Sequence, residues 1–407
     1  MPALLVVDED SPSGALGMSA VSALDYIKGV GAELPQGTVV RNMATDYAYM
    51  SPAYYVSLLA EARGHVAFPR VMDLLTSNPE AESRNQSSGP RHRLRSINQD
   101  RREVRTIGVL FTPADKYRAS SRASLRDFAR SAAPLGLSVE FLGRSHITQA
   151  LGRLAGLFVR DLTNPTNLTF RAALNAHALG LPVIDDPKSI IRCSNKVFVQ
   201  HVLERHGVST PRTVLVGPDT RMAEIVGELG LPLVLKIPDG SFSLGVHRAN
   251  SVAEGECIIA AMRLRSAVNI AQEFMPTDYD WRIGTLAGEP LFACRYFMAP
   301  GHWQMVHHIS AHERVDGETA AVPLADVPAI VLDTAQRAAA LVGDGLYGVD
   351  IKQHGARTCV IEVNDNPDID SDFEAALPGV PVWPRLAEWF AKKVVANEGY
   401  SGSAATG

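Results

Sequence analysis

Apolar and polar positions alternate along the chain in short blocks, and the change of period between blocks predicts a mixture of strands and helices. Residues 3–7 form an apolar run of strand length. Residues 21–30 and 51–63 have helical spacing and flank a short apolar stretch at 39–42, which suggests a small α/β unit over 1–76. From 77 to 105 apolar residues almost vanish in favour of Ser, Asn, Gln, Pro and Arg, the composition of a linker or mobile loop. Order resumes with strands at 106–111, 137–142, 156–160 and 181–185 and helices at 121–135 and 169–179, the succession of an open, largely parallel sheet over 106–190. A third region, 191–396, mixes strands with helices at 196–206, 221–229, 252–265, 327–342 and 384–396. The small, polar tail 397–407 reads as disordered. The expected class is therefore α/β and α+β.

Composition narrows the function classes. A length of 407 residues favours two or three domains, and 46% hydrophobic with 20% charged residues describes a soluble globular protein. A net charge of -5 gives no reason to expect a nucleic-acid partner. The four cysteines form no CxxC pair, which fits a reducing cytoplasm. The N-terminus lacks a basic region and reads as a first strand, not a signal peptide; no apolar run approaches the roughly 20 residues of a membrane span.

The most informative segment joins the strand 348–352 to the strand 360–364 and carries Asp350, Glu362 and Asn364. Alternation puts Glu362 and Asn364 on one face, and a three-residue 355–357 loop would set Asp350 opposite Glu362. Hard oxygen donors without sulfur or imidazole suit Mg2+, a metal usually held together with nucleotide phosphates. Upstream, Lys236 interrupts an apolar strand that feeds the turn 238–246, which contains Gly240, Ser241, Ser243 and Gly245. Backbone N–H groups in such a turn can face phosphate oxygens, with lysine as a compact cation, although no Gly-Lys-Ser/Thr closes a Walker A loop. The strand 268–275 ends in Gln272, Glu273, Phe274 and Met275, an edge suited to a purine. Next come Asp280 and Arg282 on one strand face, and then Arg295.

The order Lys196, Lys236, the 239–246 loop, Gln272-Glu273-Phe274, Asp280-x-Arg282, Asp350 and Glu362-x-Asn364 resembles the ATP-grasp superfamily, above all the RimK-like ligases that act on ribosomal protein S6 and related carboxylate–amine ligases. That resemblance implies an N-terminal accessory α/β region, an open-sheet pre-ATP-grasp domain and a two-subdomain fold gripping ATP. By position, Lys196 and Lys236 would contact phosphates, Glu273 and Phe274 would face adenine, and Asp280 the nucleotide. Asp350, Glu362 and Asn364 would hold two Mg2+ ions, with Mn2+ as a substitute. Where the S6 ligases have an acyl-phosphate-stabilising arginine this chain has Gln304, so either Arg295 or His307 takes that role or the substrate differs from an S6-like protein.

The implied activity is amide formation between an amino acid, with glutamate the best choice as acyl donor, and another amino acid or short peptide, through an acyl phosphate. The alternative on the same scaffold is a small-molecule kinase. His302, His307, His308 and Glu313 are candidates to take the amine proton. Asp365, Asp368, Asp370 and Asp372 read as a favourable start to a helix, with contact to a substrate amine as the alternative. Partners are expected to be small molecules, with neither nucleic acid nor membrane; a homo-oligomer is compatible.

Overall fold

Where apolar side chains run unbroken, strands form; where they recur every three or four positions behind a Ser or Asn, helices do. The computed structural model describes residues 2–8, 20–76, 105–115, 118–240, 243–310 and 313–403, the last six by backbone alone. The expected 77–105 linker falls outside these residues except Arg105, which opens a strand, and Ser241 also falls outside them.

The chain divides into two compact units, 1–105 and 106–407. In the first, β1 (Ala3–Val7), β2 (Ala20–Ser22), β3 (Val39–Asn42) and β4 (Val66–Phe68) form a parallel sheet in the order β2-β1-β3-β4. Helix α1 (Ala23–Lys28) is capped by the Ser22 hydroxyl, so the expected helix at 21–30 yields its first residues to β2. Helix α2 (Pro52–Ala62) is capped by Ser51 and carries proline in its first turn; a third helix, α3, spans Val71–Thr76.

The second unit holds three larger sheets. β5 (Arg105–Leu110), β6 (Leu137–Leu142), β7 (Gly156–Val159) and β8 (Val183–Ile184) lie in the order β6-β5-β7-β8, with β5, β7 and β8 parallel. Helices α4 (Arg122–Ala132), α5 (Ile147–Ala150), α6 (Leu168–Ala178), α7 (Pro187–Ser194) and α8 (Lys196–Arg205) follow in chain order. β9 (Thr213–Val216), β10 (Leu233–Lys236), β11 (Val246–Ala249) and β12 (Asn269–Glu273) form an antiparallel sheet with helices α9 (Met222–Leu229) and α10 (Val252–Arg263). The largest sheet, again antiparallel, is built from β13 (Tyr279–Leu286), β14 (Glu289–Phe297), β17 (Thr319–Val322), β18 (Leu346–His354) and β19 (Arg357–Asn364) in the order β17-β14-β13-β18-β19. β15 (Val306–His308) and β16 (Arg314–Asp316) make a separate ribbon, and α11 (Ala329–Val342) packs on the large sheet.

The last helix, α12 (Val382–Ser403), returns to the first sheet of this unit. Phe390 packs 5.9 Å from Phe128 of α4 and 5.7 Å from Phe158 of β7, between ring centroids, in a core that also takes in Leu286 and Leu346 of the large sheet. Burying each such ring contributes roughly 2–3 kcal/mol, enough to join 106–190 and the following region in one unit. The helix does not stop at 396: its backbone continues to Ser403, and the Asn397 amide donates to the Gly180 carbonyl, which anchors the start of the segment expected to be disordered. No helix among the described residues is long and apolar enough to cross a membrane.

Candidate functional site

Asp350 sits at the centre of the large sheet, opposite Arg282 on one side and Glu362 on the other. The β18–β19 connection is a two-residue Gly355–Ala356 turn, with Gly355 at φ +58, and not the expected three-residue loop. A bulge between Asp350 and Ile351 supplies the missing residue and restores the Asp350–Glu362 pairing. The Asn364 amide lies 3.3 Å from Asp350 Oδ2, so the three expected metal ligands do converge. Arg282 Nη2 donates to Asp350 Oδ2 at 3.0 Å, and Nε donates to the other oxygen. Burial disfavours charge on Arg282, but Asp350 more than offsets it and holds the guanidinium above its ordinary value.

Two lysines reach this face from the other side. Asn195 caps α8, placing Lys196 in its first turn, and Lys196 Nζ lies 2.9 Å from Glu362 Oε1 and also donates to the Gly240 carbonyl. Lys236, at the end of β10, is only 8% exposed, and its ammonium has no hydrogen-bond partner among the described residues. Burial pulls its pKa down to about 8, with Glu362 opposing and Lys196 and Lys352 reinforcing the shift. Asp280 is held by Lys352 at 2.6 Å and by Thr277 at 2.9 Å. Period two on β18 puts Lys352 on the Asp350 face, a signal present in the sequence but not used.

These groups line one cavity of about 300 Å³, together with Gly240, Ser243, Gln272, Glu273, Phe274 and Met275. Gln272 is tied by its amide to Gln200 at 3.2 Å and Thr213 at 3.0 Å. The Glu273 carboxylate turns to Arg357 and Arg212; although burial acts to raise it, those partners hold its pKa at about 2. Phe274 meets Trp303 edge to face at 5.7 Å, and Trp303 and Gln304 also line the cavity, whereas Trp281 is core. Asp239, on the same wall, accepts from Asn164 at 3.0 Å.

Three expected site residues lie off this cavity. A bulge at Gly284/Thr285 shifts the β13–β14 register by one, so Arg295 stands opposite Trp281 on the far face, its guanidinium 4.9 Å from both the Tyr279 and Trp281 rings. Tyr296 takes the inward position, 4.8 Å beneath the Arg282 guanidinium. His307 stacks on His302 at 4.1 Å and does not line the cavity. Gly245, at φ +71, packs against Ile237, where a Cβ would meet that side chain at 2.4 Å. Its role is to turn the chain.

The segment after β19 forms the opposite wall. Fully buried Arg160 donates to Asn366 Oδ1 at 2.8 Å and to the Pro367 carbonyl at 2.7 Å. Asp370 does not start a helix as expected; it accepts from the Ser121 amide at 2.8 Å and the Ser124 hydroxyl at 2.7 Å. No sequence pattern links Arg160 to this segment, because their contact depends on α12 returning to the first sheet.

Asp350, Glu362 and Asn364 fit a hard divalent cation. Among the described residues no three His, Cys, Asp or Glu side chains gather as a self-sufficient metal cage. Two carboxylates and an amide oxygen instead suit Mg2+, which keeps positions for phosphate oxygens and water.

Residues 23–155 match the family model of the RimK-like ATP-grasp N-terminal domain. The chain is 38% identical over 96 residues to an alpha-aminoadipate–LysW ligase of Saccharolobus solfataricus, covering 23% of this chain and 35% of the relative. It is 26% identical over 196 residues to a probable alpha-L-glutamate ligase of Pseudoalteromonas atlantica, covering 47% and 62%. The matches thus span less than two thirds of either relative. Among solved structures, a D-alanine–D-alanine ligase from Bacillus anthracis superposes with a TM-score of 0.57 at 14% identity, over 73% of this chain and 99% of that one.

Proposed function

We propose that this chain, which has the ATP-grasp fold and is similar to the RimK-like ligases, is an ATP-dependent ligase joining a carboxylate to an amine. The observation that carries the reading is the convergence of Lys196 and Lys236 on the Asp350–Glu362–Asn364 set in one cavity. A carboxylate is a poor electrophile. Transfer of the γ-phosphoryl group of ATP to its oxygen, with loss of ADP, makes an acyl phosphate; an amine then attacks the acyl carbon and phosphate leaves.

Lys196 and Lys236 would hold the phosphates, and the Phe274–Trp303 corner would receive the purine. Mg2+, held by Asp350, Glu362 and Asn364, would neutralise phosphate charge. With Arg295 on the far face, Arg282 is the arginine at the reacting end. An amino acid as carboxylate, with glutamate first, and an amino acid or short peptide as amine fit the names of the relatives.

The test is phosphate release across pairs of amino acids with Mg2+ and ATP, with products identified by mass spectrometry. Release that requires both cosubstrates and yields an amide is the expected result. A stable phosphorylated product from one cosubstrate alone would identify a kinase instead.

A further inference from the structure

We infer that Asp368 is the residue that binds the ammonium group of the incoming amine substrate. This rests on the ligase reading for its chemistry but not for its geometry. Asp368 lines the cavity and makes no hydrogen bond or ion pair among the described residues. Every residue around it is fastened. Asn366 and Pro367 accept from Arg160, the Ile369 amide donates to the Ala119 carbonyl at 2.9 Å, and the Ile369 carbonyl accepts from Ser120 at 2.6 Å. Asp370 is engaged by Ser121 and Ser124.

The backbone thus holds this carboxylate on the cavity wall without a hydrogen-bond or ion-pair partner among the described residues. A buried or half-buried carboxylate is costly unless a cation meets it. Arg282, Arg160 and Arg314 share its field, but Arg282 gives Nε and Nη2 to Asp350, Arg160 gives its donors to Asn366 and Pro367, and Arg314 pairs with Asp316 at 3.2 Å. A primary ammonium, with three donors and one positive charge, supplies what the site lacks. Asp365 on the same segment also lines the cavity and keeps one oxygen unpartnered, but it is more deeply buried and its carboxylate is engaged by Thr163, while Asp372 is exposed.

Two measurements on full-length protein test this. In the first, L-alanine amide, a cationic amine without a carboxylate, is the probe in saturation-transfer NMR with Mg2+ and a non-hydrolysable ATP analogue. Wild type should give a signal that Asp368→Asn reduces at least tenfold, while binding of the nucleotide analogue is unchanged. Absence of a wild-type signal, or an equal signal in the variant, overturns the assignment.

In the second, hydroxylamine, which is largely uncharged near neutral pH, replaces the amine and traps the acyl phosphate formed from glutamate. Asp368→Asn should make hydroxamate at the wild-type rate; a matching loss of hydroxamate overturns the assignment. If wild type makes no hydroxamate, the glutamate-activating reading fails, and the NMR arm still decides the role of Asp368.

Discussion

Lys196 and Glu362 meet at 2.9 Å, so the first turn of α8 is bonded directly to the strand that carries Glu362 and Asn364, two of the proposed metal ligands. Replacing Glu362 with Gln removes a charge from both the Lys196 contact and the metal set while keeping shape. Turnover is predicted to fall by roughly 100-fold or more, the scale expected when transition-state charge loses its support. Phosphate release within threefold of wild type at ordinary Mg2+ would contradict the metal assignment.

Asp350→Asn should damage more than activity. It leaves the buried Arg282 guanidinium without its anion, a change that costs about 3–5 kcal/mol in comparable buried pairs. Comparing denaturant midpoints of Asp350→Asn and Glu362→Gln checks this, because Glu362 is more exposed and should show the smaller shift.

Lys236 predicts a pH dependence. With its pKa lowered to about 8 by burial, the free protein loses this cation as pH rises through that value. Affinity for a non-hydrolysable ATP analogue should therefore weaken above about pH 8, and Lys236→Arg, which stays charged, should flatten that fall. Titration calorimetry across this range decides it. The unfolded chain binds the extra proton between about 8 and 10.5, so the same group favours folding increasingly as pH rises through that window.

Glu273 predicts a dependence of the same sign in a separate window at low pH. Its folded pKa near 2 lies below the ordinary 4.5, so its contribution is complete above about 4.5 and disappears as pH falls towards 2. Glu273→Gln should lose about 1 kcal/mol at neutral pH, a figure reduced for partial exposure of the arginine partners. The two unfolding curves should converge near the acid limit.

Arg160→Met should loosen the wall opposite the lysines without touching them. The variant leaves Asn366 and Pro367 oxygens without their donor, at a cost of about 1–3 kcal/mol per buried group. A fall in kcat of roughly tenfold with little change in nucleotide affinity is the expected signature. Loss of nucleotide affinity instead would show that Arg160 supports the phosphate end.

Two bulges explain what could and could not be read from the residues. The Asp350–Glu362 pairing was legible because alternation fixes faces, even though it arises from a short turn plus a bulge and not from the loop first inferred. Arg295 was not legible: without the bulge at Gly284/Thr285 it would fall opposite Asp280, and one extra residue sends it to the other face. The first sheets and most helices followed from periodicity and caps, as with Ser51 and Asn195. Arg160 entered only with the tertiary structure, and the sequence offered Asp368 merely as one of four acids after the metal motif; contacts between distant segments set it apart from the other three.

The bonds of Lys196 have a mechanical consequence. On the Asp368 side, a row of internal hydrogen bonds ties the wall to the first sheet of the unit. On the other side, the Lys196 ammonium itself fastens Gly240 to Glu362. A phosphate that took over that ammonium would free the turn and the β19 carboxylate together. Under the proposed function, compliance of this wall would follow occupancy, with one side chain as both latch and sensor.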